Sequence, residues 1–102
     1  MASSSIDLES RQSAIARVSS ARREMTEVLL EIAADKRSIA MVLQSSDEEA
    51  LNRLYVVKVL ESFKAVGKIR ARQALDALQI EHKRKIINLT LVERDALLRE
   101  LQ

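Results

Sequence analysis

The stretch that decides the fold is LYVVKVLESFKAVGKIRARQAL, residues 54–75, in which an apolar segment leads through one glycine into a basic segment. The apolar segment, 54–63, contains valines that would suit a β-strand. No partner strand is evident, and an isolated strand leaves its backbone hydrogen bonds unmade, so we interpret the segment as a buried helix. A further helix is predicted over 68–79 from the spacing of its apolar residues. The residues expected to face inward there are Ile69, Leu75 and Leu78.

The composition also predicts an all-α protein. The 102 residues include no proline, no cysteine and one glycine, and they are rich in Ala, Leu, Ile, Arg, Lys and Glu. This length predicts a single domain over residues 1–102. Without cysteine there is no disulfide framework and no thiolate metal site.

No apolar run approaches the roughly 18 residues needed to span a bilayer, and the Ser-rich start is unlike a signal peptide. We therefore expect a soluble intracellular protein without membrane contact.

A long N-terminal helix is predicted over residues 7–35, after a Ser-rich segment, 1–6, that we expect to be disordered. Apolar residues recur along it at spacings of three, four or seven. They are Leu8, Ile15, Val18, Met25, Leu29 and Ile32. Arg11 and Arg22 interrupt this seam, whereas a coiled coil needs apolar residues at both seam positions over several heptads. We therefore favour a helix packed on its own domain, with a dimer through this helix as the alternative.

Three further helix starts are indicated by capping residues. Ser38 precedes a short predicted helix, 39–44, and Ser46 is a predicted N-cap before the carboxylates of 47–49, which complement a helix dipole. A divalent-metal site at 47–49 is less favoured because no histidine or further carboxylate is near in sequence. The last helix, 91–101, is expected to begin with a capping box. In it, the Thr90 hydroxyl and the Glu93 carboxylate bond each other's backbone N–H groups.

Gly67, the only glycine, lies at the junction between the two helices of the 54–79 region. Glycine permits positive φ and allows a ligand to approach the backbone closely. The first N–H groups of the next helix lack intrahelical partners and carry the positive end of its dipole, which favours phosphate binding. Lys68 stands beside this helix start, and Arg70 and Arg72 follow on the next turn. The alternative is that Gly67 only forms the corner.

Positive charge is concentrated in the same part of the chain. Between residues 63 and 89 there are seven cations against two carboxylates, which leaves +5, whereas the whole chain carries +2. The cations are Lys64, Lys68, Arg70, Arg72, Lys83, Arg84 and Lys85, and the carboxylates are Asp76 and Glu81. Such a segment is typical of a face that binds a polyanion. A solvated helix surface is an equally good interpretation of the charge alone.

The segment from 56 to 101 resembles the actinobacterial integration host factor family, small monomeric nucleoid proteins built on a helix-two-turn-helix motif. The resemblance rests on Leu60-Glu61-Ser62, Val66-Gly67-Lys68 and Ile69-Arg70-Ala71-Arg72, with Leu78 and Ile80 at the helix end. Before residue 50 only the layout is similar, a long helix followed by a short one. The resemblance implies that the long N-terminal helix packs on a small helical domain, with the helix-two-turn-helix region over 50–102.

For function, the resemblance implies a cytoplasmic bacterial protein of the nucleoid that binds and bends double-stranded DNA with little sequence preference and needs no cofactor. The family contacts DNA at two turns and at the helix N-termini that follow them. Carried over, the expected DNA-binding residues are Lys64, Val66, Gly67, Lys68, Arg70, Arg72, Lys83, Arg84, Lys85, Asn88 and Thr90.

The chain departs from the family pattern at both turns. Lys64-Ala65 stands where Pro-Gly is usual, Ile87 where a basic residue is usual, and Asn88-Leu89-Thr90 where Gly-Leu-Gly is usual. Asn88 tolerates the left-handed backbone conformation and is expected to preserve the second turn. Whether the second turn still binds phosphate is open at this point.

Two other functions are alternatives. Structured RNA is one, because a ribosomal small-subunit protein uses the same motif, and a protein–protein module acting through the N-terminal helix is the other. Single strands are disfavoured because the only aromatic residues, Tyr55 and Phe63, are assigned to the core. An enzyme is not expected, since His82 is the only histidine and is assigned to a solvated position. A P-loop is excluded, because Ser62 and Ile69 occupy positions where it needs glycine and Ser or Thr.

Overall fold

A computed structural model of the chain describes residues 19–102. All of its regular elements are helical, in agreement with the predicted all-α fold. They are α1 (19–33), α2 (Ile39–Leu43), α3 (Glu49–Asn52), α4 (Val56–Ser62), α5 (Gly67–Ala77), a 3₁₀ helix (Ile86–Asn88) and α6 (Leu91–Leu101). The only β-type pairing in this part of the chain is an isolated antiparallel bridge between Tyr55 and Lys85. The predictions made for residues 1–6, for a helix start at residue 7, and for Leu8, Arg11, Ile15 and Val18 lie outside the described residues.

The core is formed where α4 packs on α5, and α2 packs on α6. Its fully buried side chains include Ile32, Val42, Leu51, Val56, Val59, Leu60, Leu75, Ile86 and Leu97. Val28 and Ile32 of α1 are buried in this core, and Met25 and Leu29 pack against it. The described part of α1 therefore packs on its own domain, which is the favoured of the two interpretations of its apolar seam.

Two side chains assigned to the core are exposed instead. Ile69 is 75% exposed, because the buried face of α5 consists of Ala71, Ala74 and Leu75. Ile69 precedes Ala71 by two residues, which is a rotation of about 200° around the helix axis and places Ile69 on the opposite side from Ala71. Tyr55 is 44% exposed, whereas Phe63 is buried as expected. Tyr55 lies just before α4 and pairs through its backbone with Lys85, so its ring is held at the surface.

The predicted caps are correct at two helices and wrong at one. The Ser38 hydroxyl accepts the Met41 N–H at 3.1 Å, and the capping box of Thr90 and Glu93 is formed. Ser46 is not the N-cap of α3. That position is Glu48, whose N–H donates to the Ser46 hydroxyl at 3.3 Å. The chain stays extended to Glu48 because the Ser46 carbonyl accepts from the Asn52 side chain at 2.8 Å and so closes the loop over the helix start.

An ion-pair network joins α1 to the start of α3. Arg37 donates twice to the Glu48 carboxylate, at 2.7 Å each, and once to Glu31 at 2.8 Å. The hydrogen bonds from Arg37 hold the pKa of Glu48 below its ordinary value. Glu48 therefore serves the fold, and among residues 19–102 no three His, Cys, Asp or Glu side chains are grouped to hold a metal ion. None of the described helices is both long and apolar enough to cross a membrane.

Candidate nucleic-acid interface

The first turn carries the chain from α4 into α5 over residues 63–66. The carbonyl oxygen of buried Phe63 accepts the N–H groups of Val66 and Gly67, both at 3.0 Å. Gly67 has φ of +74°, as the sequence predicted. A Cβ built on Gly67 would meet no atom of the protein within 4 Å. The conformation, and not local packing, is therefore what requires glycine, and the space beside it is open.

The N-terminus of α5 has no side-chain cap. The N–H groups of Val66 and Gly67 already bond Phe63, whereas those of Lys68 and Ile69 are among the N–H groups of this turn that find no acceptor within residues 19–102. The side chains of Lys64 and Lys68 are exposed around them. The N–H groups in the first turn of this helix are thus open, as the predicted phosphate site requires, whereas the Val66 side chain belongs to the core.

Ile69 is a residue at this site that the sequence analysis missed. Its side chain is exposed beside the open amides, although it is apolar. Its exposure could have been predicted from its spacing relative to Ala71 and Leu75. The buried face of α5 consists of Ala71, Ala74 and Leu75, and the position of Ile69 on the helix is not on that face.

Two of the predicted cations on α5 already have partners in the fold. Arg70 donates to the carbonyl oxygen of Leu101, at the end of α6, at 3.2 Å. Arg72 donates to the Glu61 carboxylate of α4 at 3.2 Å, and its side chain is 57% exposed. These contacts tie α5 to its neighbours, so both guanidinium groups would have to share or exchange partners to bind a phosphate.

The connector between α5 and the 3₁₀ helix crosses the N-terminus of α4. Gln79, with φ of +58°, ends α5, and the Ile80 N–H donates back to the Leu75 carbonyl at 2.9 Å, as in a Schellman motif. The carbonyls of Arg84 and His82 then accept the first two N–H groups of α4, at 2.7 and 3.3 Å. This crossing holds the basic segment 83–85 in a defined place, with the Lys83 and Lys85 side chains exposed.

His82 differs from its predicted solvated state. Its Nε2 lies 2.7 Å from Oδ1 of Asp76, and its side chain is 36% exposed. The contact spans the end of α5, so His82 helps to fix the connector.

The second turn leads from the 3₁₀ helix into α6 and is bonded internally. The Glu93 carboxylate accepts the Thr90 N–H at 2.9 Å, and the Thr90 hydroxyl accepts the Glu93 N–H at 3.1 Å. Arg84 pairs with the other Glu93 oxygen. The Thr90 backbone bond, with help from Arg84, holds the pKa of Glu93 below its ordinary value.

Asn88 does not adopt the left-handed conformation expected for it. Among the described residues other than glycine, only Asp35 and Gln79 have positive φ. Asn88 instead ends the 3₁₀ helix and donates its N–H to the Lys85 carbonyl at 2.9 Å. That bond keeps the backbone right-handed, so the chain reaches α6 through a 3₁₀ turn where a Gly-Leu-Gly sequence would permit a different path.

Residues 32–101 match the family described as the S13-like H2TH domain. The integration host factor of Streptomyces coelicolor is 32% identical to the chain over 79 residues, which cover 76% of this chain and 74% of that protein. The chain belongs to the integration host factor family. A solved structure described as sIHF bound to an 8-base-pair palindromic DNA has a TM-score of 0.74 at 30% identity and covers 84% of this chain and 98% of the other.

The match to the family reaches further towards the N-terminus than the sequence motifs indicated. The resemblance read from the sequence was specific only from residue 56, whereas the matched domain begins at Ile32, the fully buried residue near the end of α1. The matched domain therefore includes α2 and the last two residues of α1 as well as the helix-two-turn-helix region.

The two turns of this family member are unequal. At the first turn, backbone donors and two lysines are unoccupied by the described residues. At the second, Thr90, Glu93 and Arg84 bond one another, and the neighbouring side chains of Ile87, Leu91 and Val92 are exposed and apolar. The two turns therefore differ in their cations, since Lys64 and Lys68 have no carboxylate partner among the described residues, whereas Arg84 pairs with Glu93.

Proposed function

We propose that this chain is a nucleoid-associated bacterial protein that binds double-stranded DNA with little sequence preference and bends it. The binding part is the helix-two-turn-helix region, residues 50–102, within a single cytoplasmic helical domain. The observation that carries the proposal is the N-terminus of α5, which is uncapped, led by Gly67 with φ of +74° and flanked by exposed Lys64 and Lys68. Support comes from the similarity to a protein whose structure is described as bound to palindromic DNA.

The mechanism follows from the kind of groups at this site. Backbone N–H groups and lysines bind phosphate oxygens, which repeat along any duplex, so they give affinity and register without reading bases. The N–H groups of Lys68 and Ile69 point the positive end of α5 at the phosphate, and the Lys68 ammonium adds a full charge. Lys83 and Lys85 lie on the connector and are proposed to contact the backbone further along the duplex. Arg70, Arg72, Arg84, Asn88 and Thr90 complete the proposed set.

Fluorescence anisotropy with labelled nucleic acids of about 30 base pairs, over a range of salt concentrations, tests this function. We expect two duplex DNAs of unrelated sequence to bind alike, with affinity falling steeply as salt rises, and duplex RNA and single strands to bind less well. Tighter binding of duplex RNA would favour the RNA function. If none of the nucleic acids binds at low salt, the alternative function as a protein–protein interaction module is favoured. Energy transfer between dyes at the two duplex ends measures bending.

A further inference from the structure

Glu93 occupies two of the groups that the second turn would offer to a phosphate. One carboxylate oxygen accepts the Thr90 N–H at 2.9 Å, and the other pairs with the Arg84 guanidinium. The Arg84 and Glu93 side chains are 26% and 22% exposed, so the pair is at the edge of the surface and open to exchange with a ligand. A carboxylate bound to one backbone amide and one arginine resembles two oxygens of a bound phosphate.

We infer that Glu93 limits DNA affinity at the second turn, because a DNA phosphate must compete with its carboxylate for Arg84. The inference rests on the proposed function. Lys83 and Lys85, on either side of Arg84 in sequence, have no carboxylate partner among the described residues. Arg84 is therefore the cation of this segment whose charge is withheld, and Glu93 is the residue that withholds it.

The other arginine–carboxylate pair of the proposed interface is arranged differently. Glu61, the partner of Arg72, is only 13% exposed and lies on α4, so it anchors Arg72 between two helices. Glu93 is at the third position of α6, where it also completes the capping box. Its charge and its capping role can be separated, since glutamine at this position still accepts the N-cap N–H.

The experiment compares wild type with Glu93→Gln in salt titrations on duplex DNA. The variant keeps the capping box and frees Arg84, so one additional phosphate should be neutralised. We expect the slope of log affinity against log salt to steepen by about 0.9, and affinity near 0.1 M salt to rise roughly eightfold. Asp95→Asn is the matched control. It changes the net charge equally, and Asp95 is two residues away on α6, paired with Arg99, which is 80% exposed.

Three comparisons decide the outcome. A slope for Glu93→Gln that steepens no more than that of Asp95→Asn overturns the inference, while salt-dependent binding by wild type leaves the proposed function intact. Absence of duplex binding by wild type overturns both. In an Arg84→Gln background, Glu93→Gln should no longer raise affinity, because the two residues act as a pair. The role assigned to Glu93 is also contradicted if Glu93→Gln still raises DNA affinity in the Arg84→Gln background. The same holds if the rise in affinity is accompanied by a loss of helix content.

Discussion

The Arg94 guanidinium of α6 donates to the backbone carbonyl oxygen of Leu43, 51 residues earlier in the chain, at 3.2 Å. The same side chain donates to the carbonyls of Ile86 at 2.6 Å and Leu89 at 3.2 Å, and it is buried. Burial lowers the pKa of Arg94, because the cation loses water. One side chain thus fastens α2 and the 3₁₀ helix to α6, and through them it fixes the second turn.

Replacing Arg94 by methionine should lower the free energy of unfolding by about 3 kcal/mol, because three carbonyl groups lose a charged donor. Arg99→Met is the control on the same helix. Its side chain is 80% exposed and paired only with Asp95, so we expect a change within about 0.5 kcal/mol. Urea unfolding followed by circular dichroism measures both. Equal destabilisation of the two variants would mean that the three carbonyl contacts of Arg94 contribute little.

The sequence predicted the parts of this fold that depend on local rules. Helical spacing placed α2, α4, α5 and α6 to within about two residues, Ser38 and Thr90 marked helix starts, and Gly67 marked a positive φ. Arg94 was missed because a buried arginine and a solvated one have the same spacing on a helix. The carbonyl groups that accept its hydrogen bonds belong to other segments of the chain, so they cannot be predicted from the local sequence pattern around Arg94.

The candidate site was predictable in its cations and less so in their partners. Lys64 and Lys68 could be predicted to be open because they flank the glycine that joins two predicted helices. The occupation of Arg70 by Leu101 depends instead on how α5 and α6 pack, over a separation of 31 residues. Ile69 was assigned inward because of its residue type, although its position on the α5 helix places it outside.

Acid should weaken the fold in part through Glu48. Its pKa is lowered by Arg37, so its contribution to stability is complete above about pH 4.5, the ordinary value, and is lost as pH falls through the folded-state pKa. At neutral pH, Glu48→Gln should cost about 1 kcal/mol or less, since a carboxylate that is 38% exposed is screened by water. The difference between variant and wild type should shrink as pH falls below the ordinary value.

Glu49→Gln is the control for that titration. Glu49 is adjacent, 73% exposed and paired with Arg53, so its replacement should change stability by less than about 0.5 kcal/mol at any pH. Urea unfolding of the three proteins between neutral pH and acid gives the comparison. A gap between Glu48→Gln and wild type that stays constant into acid would show that the Arg37 pair does not set the acid sensitivity.

Substitutions at Gly67 separate its conformational role from its role at the interface. Asparagine tolerates positive φ, whereas valine does not, so Gly67→Asn should fold with a loss within about 1 kcal/mol and Gly67→Val should lose more. A new side chain meets no protein atom within 4 Å, so it would extend into the space proposed for a phosphate. Both variants should therefore bind duplex DNA several-fold less well.

Ala65→Asn adds the same side chain at an exposed position of the same turn and controls for its size and polarity. We expect it to bind more tightly than Gly67→Asn. Anisotropy for binding and thermal unfolding for stability distinguish the two roles of Gly67. If Gly67→Asn folds and binds as wild type does, the glycine only forms the corner.

Lys68→Ala tests the charge at the open end of α5. Lys68 is exposed beside an uncapped helix N-terminus, so we assign it to a phosphate and not to a base. Each phosphate neutralised contributes about 0.9 to the slope of log affinity against log salt on B-form DNA. Removal of Lys68 should flatten the slope by about one unit on every duplex, whereas loss of a residue that reads a base lowers affinity for the preferred sequence only.

The control, Lys36→Ala, removes the same charge from the loop between α1 and α2, and should leave the slope nearly unchanged. Salt titrations of the three proteins on two unrelated duplexes of equal length provide the measurement. An unchanged slope for Lys68→Ala on both duplexes, with an intact fold, would remove Lys68 from the interface and would contradict the assignment of phosphate to the first turn.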